Sequence, residues 1–148
     1  MLPLATFKTV VASTPLVPID LIIRNKQGHV LLGLRNNRPA QGYWFVPGGR
    51  IQKDERLDDA FSRLVSVELG TAAGFDQASF LGLYQNFYLD NFSVDSFSTY
   101  YVVLSYELML EIDLCDFPEE QHCDYHWFTV DELLSSNQVH QHTKDYFL

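Results

Sequence analysis

The segment GRIQKDERLDDAFSRLVSVELG, residues 49–70, opens on a glycine and predicts a helix. Asp54 is a suitable N-cap and Gly70 a suitable stop, so the helix is expected over about residues 54–69. Apolar residues recur at helical spacing, which predicts the face that packs on the core: Leu57, Ala60, Phe61, Leu64 and Val67. Near its end the helix carries a single acid, Glu68, among apolar neighbours.

Strand patterns lie on both sides of this helix. Residues 16–35 form two apolar runs around a polar turn, which is typical of a β-hairpin. A short strand at 43–46 precedes a Pro-Gly-Gly loop, and aromatic or β-branched runs predict three later strands: 79–89, 97–110 and 124–128. Thr129 with Glu132 forms a capping box for a short helix, and a last helical piece follows. The mixture predicts an α/β sandwich with a mixed sheet.

The length and composition indicate one domain over residues 1–148. The 148 residues are 47% hydrophobic, which suits one buried core and leaves no length for a second. No apolar run approaches the roughly 20 residues of a membrane span, and the start lacks the pattern of a signal peptide. Cys115 and Cys123 are too few for a disulfide framework. A cytoplasmic protein without a membrane partner is therefore expected.

The charge distribution favours a small anionic ligand over nucleic acid. A formal net charge of -9 would repel a phosphate backbone at long range. Half of the ten basic residues nevertheless fall within a short stretch: Arg35, Arg38, Arg50, Lys53 and Arg56. Such a cluster on an acidic protein predicts a focused anion site, and a solvated basic loop is the alternative.

The spacing of the helix segment resembles the Nudix box. That box runs from a glycine through a glutamate, an arginine-glutamate pair and two adjacent glutamates to a final glycine. Matching residues stand at six of its positions: Gly49, Glu55, Arg63, Val65, Glu68 and Gly70. Leu64 and Val67 replace the two other glutamates. The resemblance implies a Nudix-type α/β/α sandwich.

The two replacements limit the metal that this helix can hold. Positions 64, 67 and 68 share one helix face, where three acids would bind two or three hard cations. With Glu68 alone, the face can offer one carboxylate to a single Mg²⁺ or Mn²⁺, completed by backbone oxygen, substrate phosphate and water. The alternative is a degenerate domain in which Glu68 only caps the helix or forms a salt bridge.

Four further motifs make almost the whole chain similar to the GDP-mannose mannosyl hydrolase branch of this family. They are STPLVPID (13–20), NNRPAQGYWFVPGGRIQKDE (36–55), YYVVL (100–104) and EEQHCDYHW (119–127). The branch lacks the same two glutamates of the box. Its members are homodimers, so the resemblance implies a homodimer here. The apolar residues before position 12 could serve that interface or cover the sheet.

The resemblance implies cleavage at the sugar carbon, with inversion at C1 and release of GDP and a hexose. GDP-mannose is the expected substrate, and GDP-glucose a second one. One Mg²⁺ per subunit, with Mn²⁺ as a substitute, would be held by Glu68, Gln121 and the backbone carbonyl of Gly48. One cation suffices because it neutralises a departing diphosphate and no phosphorus is attacked.

Further residues receive roles by the same resemblance. His122 matches the general base, and an unperturbed histidine, with a pKa of about 6.5, can take a proton from water near neutral pH. Arg35 and Arg50 match the leaving-group arginines, since guanidinium groups bind phosphate oxygens in pairs of hydrogen bonds. Tyr101 matches a tyrosine that contacts phosphate, with a core aromatic residue as the alternative.

Two polar residues in predicted strands complete the candidate site. Asp20 lies in an apolar strand, where an unpaired carboxylate is costly, so an arginine or a sugar hydroxyl should meet it. The resemblance places it near the scissile bond, and an ion pair with Arg35 is the alternative. Asn86 stands where members of the branch have histidine, and an amide cannot act as an acid or base.

Two other functions stay open. A Nudix pyrophosphohydrolase would attack phosphorus in a nucleoside-diphosphate sugar or nucleotide. A binding domain without catalysis would hold a nucleotide sugar and show no turnover dependent on Mg²⁺. The identity of the products separates these possibilities.

Overall fold

The structure is a computed structural model that describes residues 2–93, 95–112 and 122–148. Its helices are α1 (Leu4–Ser13), α2 (Leu57–Leu69), α3 (Val130–Ser135) and α4 (Gln141–Lys144). Its strands are β1 (Pro18–Arg24), β2 (Val30–Arg35), β3 (Trp44–Phe45), β4 (Gly48–Arg50), β5 (Ser79–Tyr88), β6 (Thr99–Met109) and β7 (His122–Phe128). Short 3-10 turns cover Phe75–Gln77 and Asp145–Phe147.

The strands form one mixed sheet, which confirms the α/β class. Its main order is β3-β2-β1-β6-β5, with β4 on β1 and β7 on β2. Among the pairs formed by these seven strands in the described residues, only β1–β6 is parallel. Strand β1 meets β2 at Arg24 and Val30, whereas its other end, at Asp20, pairs with Gly48 of β4. The sheet therefore divides on the N-terminal side of Arg24, where β1 leaves β2 and pairs with β4.

Helices cover both faces of the sheet. One core cluster joins α2 to Ile19, Leu21 and Ile23 of β1. A second joins Ile22 to the region of α3 and the last 3-10 turn. Side chains of a strand alternate between faces, so Asp20 points to the same side as Ile22. This arrangement confirms the expected α/β/α sandwich and puts Asp20 on the side of the C-terminal turn.

Helix α2 begins later than expected. Asp54 has a φ of 65° and Arg56 occupies the N-cap, so the prediction of Asp54 as the N-cap is wrong. Gly70 is confirmed as the stop, with a φ of 66° and its N–H bonded to the Ser66 carbonyl at 3.0 Å. The buried face also differs from the predicted stripe: Leu57 and Val67 are exposed, whereas Val65, Glu68 and Leu69 are buried.

Helix α1 is an element that the sequence pattern did not predict. It buries Val11 and packs Phe7 against Phe92, with ring centroids 4.8 Å apart, while Leu4 stays exposed. The segment after it joins the sheet through a bridge between Leu16 and Tyr101. Helix α1 thus contacts β6 of the sheet, and the interface alternative stays a prediction. No helix in the described ranges is long and apolar enough to cross a bilayer.

Candidate active site

A cavity of about 150 Å³ lies where the sheet divides. Five of the residues singled out in the sequence line it together: Asp20, Arg35, Gly48, Arg50 and Tyr101. They come from strands β1, β2, β4 and β6, so the fold gathers residues that are up to 81 positions apart in the chain. Asn86 of β5 also lines the cavity. The structure therefore brings most of the expected site into one place.

Glu68 is a buried carboxylate beside this cavity. It is 5% exposed, and its Oε2 atom has no hydrogen-bond partner among the residues that the structure describes. Burial raises its pKa to about 7, although the charges of Arg35 and Arg63 act in the opposite direction. Within the described ranges no ion pair involves Glu68, so the salt-bridge alternative is not formed. A buried oxygen without a partner is a position that a cation would satisfy.

Two adjacent glycines of β4 pack closely, Gly48 against β1 and Gly49 against α2 beside the Glu68 carboxylate. A Cβ on Gly48 would lie 2.4 Å from the Ile19 carbonyl oxygen and 2.8 Å from Asp20 Oδ1. A Cβ on Gly49 would lie 2.5 Å from Leu64 and 3.8 Å from Glu68 Oε1. Only glycine therefore fits at either position. The Pro-Gly-Gly stretch was expected as a loop, but its glycines form β4, held against β1.

The residues present fit a single hard divalent cation. Among the described residues, Glu68 supplies a buried carboxylate oxygen without a hydrogen-bond partner, and Gly49 of β4 lies beside it. In the described part of the chain, no group of three or more His, Cys, Asp or Glu residues could hold a metal. The donor set is thus one carboxylate supplemented by neutral oxygens, which suits Mg²⁺ when waters and a phosphate complete the shell.

Arg63 has a structural position beneath the site. Its Nε donates to Glu55 Oε2 at 2.7 Å, and its Nη2 donates to the Arg50 carbonyl at 2.9 Å. The same ion pair lowers the pKa of Glu55 and raises that of Arg63. Glu55 was expected in the first turn of α2, but it lies before the helix. Glu55 and Arg63, two matching positions of the box, thus form an ion pair, and Arg63 also links α2 to the Arg50 carbonyl of β4.

Asp20 meets a partner that the sequence did not reveal. The Tyr146 hydroxyl donates to Asp20 Oδ2 at 2.5 Å, whereas no ion pair within 4 Å joins Asp20 to Arg35. Burial raises the pKa of Asp20 to about 6, and the Tyr146 bond and the charge of Arg35 limit the rise. The ion pair of Asp20 with Arg35, which was the alternative to a substrate contact, is therefore not formed. A buried tyrosine hydroxyl needs a partner, but no local pattern pointed to Asp20.

The arginines divide by their partners. Arg24, Arg56 and Arg63 each pair with a carboxylate. The remaining three have no carboxylate within 4 Å in the described ranges: Arg35, Arg38 and Arg50. Instead, the Arg35 guanidinium lies 5.6 Å from the Phe45 ring centroid and that of Arg50 lies 4.7 Å from Phe7. Two of these guanidinium groups, those of Arg35 and Arg50, line the cavity, which favours the anion site over the solvated basic loop.

Tyr101 and Asn86 face each other as register partners on β6 and β5. Burial raises the pKa of Tyr101, so its hydroxyl stays protonated and can donate to an anion. Asn86 is buried at the cavity wall. Tyr88, which the sequence did not single out, lines the same cavity. The alternative of a purely structural core position for Tyr101 does not account for its place at the wall.

Two expected residues fall at the limit of the described chain. Gln121 lies outside the described residues, and so does the side chain of His122. The backbone of His122 is the register partner of Arg35, at the first residue of β7. Strand β7 therefore begins next to Arg35, which lines the cavity.

Comparison with known proteins assigns the family. The model of the NUDIX domain matches residues 14–147, so the chain belongs to the NUDIX family. Membership supports a hydrolase activity on a small molecule with a divalent cation such as Mg²⁺. The fold agrees: the MutT protein from Methanosarcina mazei Go1 covers 91% of this chain and 92% of its own, at 23% identity and a TM-score of 0.65.

Two further similarities concern a glycan biosynthesis protein and a domain whose structure contains ADP ribose. The low-salt glycan biosynthesis protein Agl8 of Haloferax volcanii is 43% identical over 108 residues, which cover 72% of this chain and 67% of that protein. The NUDIX domain of Shewanella oneidensis NrtR, whose structure is a complex with ADP ribose, covers 99% of this chain and 97% of its own. Its identity is 18% and its TM-score 0.67, so it supports the fold alone.

Proposed function

We propose that this protein hydrolyses GDP-mannose, and GDP-glucose as a second substrate, by attack of water at sugar C1. The products are GDP and the free hexose with inverted configuration, because a single displacement inverts the carbon. His122 removes the proton from the attacking water, and Arg35 and Arg50 hold the departing diphosphate. One Mg²⁺ per subunit, which Mn²⁺ can replace, would bind to Glu68, Gln121 and the Gly48 carbonyl.

The observation that carries this proposal is that only one of the three acidic positions of the box holds an acid, and that the structure buries this acid beside the cavity. Leu64 is 2% exposed and packs in the core against the Gly49 backbone, and Val67 faces solvent. Only Glu68 offers a carboxylate, so the helix supports one cation. A bound Mg²⁺ would neutralise charge on the leaving diphosphate. This smaller demand suits cleavage at carbon, where no phosphorus is activated.

The residues that line the cavity bind the diphosphate and the sugar. The paired N–H donors of Arg35 and Arg50 bind the diphosphate oxygens and stabilise their growing charge. Tyr101 donates its hydroxyl to the same phosphates. Asp20, fixed by Tyr146, lies against Gly48 and accepts a hydrogen bond from the sugar. These groups are held by neighbouring strands, so they need little reorganisation when the substrate binds.

The relatives support the same class of substrate. Agl8 is named for glycan biosynthesis, and nucleotide sugars are the activated sugars of such chemistry. The match of the family model from residue 14 to residue 147 supports a single domain over 1–148. A homodimer and a cytoplasmic location belong to the proposal by the likeness to the mannosyl hydrolase branch.

Hydrolysis in ¹⁸O-labelled water with Mg²⁺ tests the proposal directly. Attack at C1 puts the label in the hexose, with GDP unlabelled. Attack at phosphorus gives GMP and mannose 1-phosphate with label in a phosphate, and this result would establish the pyrophosphohydrolase instead.

His122→Gln separates catalysis from binding. We expect the variant to bind GDP as the natural chain does, while turnover falls roughly 100- to 10,000-fold, the usual contribution of a positioned base. A protein that binds GDP-mannose and shows no turnover dependent on Mg²⁺, with or without the substitution, would be a binding domain.

A further inference from the structure

The side chain of Arg35 lies over an aromatic ring at the wall of the cavity. Its guanidinium carbon is 5.6 Å from the centroid of the Phe45 ring, within the range of a cation–π contact. In the described ranges no carboxylate lies within 4 Å of Arg35, and its Nε donates a long hydrogen bond of 3.4 Å to the Asn37 carbonyl. Phe45 is 9% exposed and lines the same cavity. Among the described residues, the ring is therefore the closest constraint on the direction of this guanidinium.

The strand register brings these two side chains together. The Arg35 N–H donates to the Tyr43 carbonyl at 3.0 Å, and Phe45 is the register partner of Gly33 on β2. Residues two positions apart share a face of a strand, so Arg35 and Gly33 lie on the same face. Because glycine has no side chain, the ring of Phe45 is left open to its diagonal neighbour, Arg35.

The C-terminal segment holds the ring of Phe45 in place. The His140 ring stacks on it, with centroids 4.8 Å apart and planes at 22°. The backbone of β3 is bound to the same segment, because the Trp44 N–H donates to the Gln138 carbonyl at 2.9 Å and the His140 N–H donates to the Trp44 carbonyl at 3.2 Å. The His140 ring also lies edge-on to Tyr43 at 5.2 Å. The position of Phe45 is thus fixed by both backbone and ring contacts.

The same segment supports a second residue of the cavity. His140 is the N-cap of α4, and the 3-10 turn that follows α4 carries Tyr146, which donates to Asp20. Asp20 and Arg35 both line the cavity, from strands β1 and β2. One continuous segment therefore contacts Asp20 directly and Arg35 through the ring of Phe45.

The geometry points to Phe45, backed by His140, as the positioning residue that orients Arg35 for a diphosphate. The ring restricts the directions open to the guanidinium, so its N–H donors face the cavity before a ligand enters. Less side-chain freedom is then lost when the phosphate oxygens bind. This assignment rests on the proposed function for the ligand of Arg35, and it adds the residues that orient that arginine.

Calorimetric titration with inorganic pyrophosphate and Mg²⁺ tests the assignment. We expect Phe45→Leu to weaken pyrophosphate about fivefold, whereas Phe45→Tyr keeps the ring and should stay within about twofold of the natural chain. Phe128→Leu is the matched control, since Phe128 contacts Trp44 of β3 at 5.3 Å and does not line the cavity. It should change the affinity by less than about 1.5-fold.

A double-mutant cycle separates orientation of Arg35 from packing of the cavity wall. Arg35→Gln should itself weaken pyrophosphate about tenfold or more. Adding Phe45→Leu to that variant should cost less than about twofold, because no guanidinium is left to orient. Full losses that multiply would show that Phe45 shapes the cavity without acting through Arg35, and this would overturn the assignment. An unchanged affinity in Phe45→Leu would overturn it as well.

Thermal unfolding of each variant checks that it folds. Phe45→Met, an unbranched apolar side chain without a ring, replaces Phe45→Leu in the cycle if that variant does not fold. The result is independent of the reaction, since pyrophosphate is only bound. Release of GMP from GDP-mannose would overturn the proposed function and leave the role of Phe45 standing, whereas hydrolysis at C1 with losses that multiply would overturn the role of Phe45 alone.

Discussion

Tyr146 donates a hydrogen bond to Asp20, and this bond joins the last helical turn to strand β1 across 126 positions of the chain. The turn is itself held from two sides. The Tyr146 ring lies edge-on to Tyr84 at 4.6 Å, and the Arg24 guanidinium lies 5.3 Å from the Phe147 ring. The orientation of the Asp20 carboxylate is therefore set by the C-terminal turn.

Tyr146→Phe should lower kcat with little effect on KM. Without the hydroxyl, Asp20 loses the partner that orients it, and we expect kcat for GDP-mannose to fall about tenfold while KM stays within about twofold. The free energy of unfolding in urea should fall by about 1 kcal/mol. Tyr84→Phe, which removes a neighbouring hydroxyl, is the control. Equal effects of both variants on kcat would contradict the positioning role.

Glu68→Gln should stabilise the protein without metal and abolish its response to Mg²⁺. The folded-state pKa of about 7 lies above the ordinary 4.5, so the ionised carboxylate lowers stability as pH rises through 7. Glutamine does not ionise, and we expect the variant to be more stable by about 2 kcal/mol at pH 8 without metal.

Melting curves with and without Mg²⁺ provide the second half of that test. At about 100 times its Kd, Mg²⁺ should stabilise the natural chain by about 2.7 kcal/mol and leave Glu68→Gln unchanged. Hydrolysis should be lost in parallel. A variant that keeps the full Mg²⁺ shift would show that the cation binds elsewhere.

Placing glutamate at each of the two replaced positions of the box, one at a time, should change stability by very different amounts. Val67 is 44% exposed, so Val67→Glu should change the free energy of unfolding by less than about 0.5 kcal/mol. Leu64→Glu puts a charge in the core beside Gly49, and we expect a loss of about 3 kcal/mol or more in urea unfolding. Comparable losses for both variants would contradict the described packing of α2.

His140 should make the protein sensitive to acid. Burial lowers its pKa to about 4, with a further contribution from His142. Its Nδ1 accepts a hydrogen bond from the backbone N–H of His142 at 3.1 Å. A protonated ring cannot accept this bond. Because the folded-state pKa is below the ordinary value of 6.5, the contribution to stability is complete above pH 6.5 and is lost as pH falls through 4.

The matching variant is His140→Asn, which keeps an acceptor at the start of α4 and does not titrate in this range. We expect it to remove on the order of 2 kcal/mol from the change in unfolding free energy between pH 7 and pH 4. The comparison uses the pH dependence rather than the absolute stability, since the variant also loses the stacking of His140 on Phe45. An unchanged slope would show that other groups cause the acid sensitivity.

Local sequence patterns located most of the strands and helix α2, and the family motif pointed to the candidate site residues. Alternation and turn residues located the hairpin of β1 and β2, and Gly70 ended α2 because only a residue tolerant of positive φ fits there. The spacing from Gly49 to Gly70 defined the family. It also singled out Glu68 as the one acid left on its helix face.

The start of α2 and the formation of α1 depend on tertiary contacts that local patterns do not contain. The start of α2 moved from Asp54 to Leu57 because Glu55 is held by Arg63 outside the helix, a contact over eight positions that no propensity scale contains. Helix α1 carries no side-chain cap, so its sequence gave no local signal, and it forms against β6 and Phe92.

The partners of the site residues came from packing between distant segments. Tyr146 reaches Asp20 because β1 turns that side chain toward the C-terminal face. Arg35 and Arg50 line one cavity because β1 leaves β2 and pairs with β4 on the N-terminal side of Arg24. The periodicity of apolar residues reflects neighbours within a few positions, and it predicts the face of a strand or helix on which a side chain lies. The distant side chain that it contacts there depends on strand order and register. Both are set only when the whole core is buried.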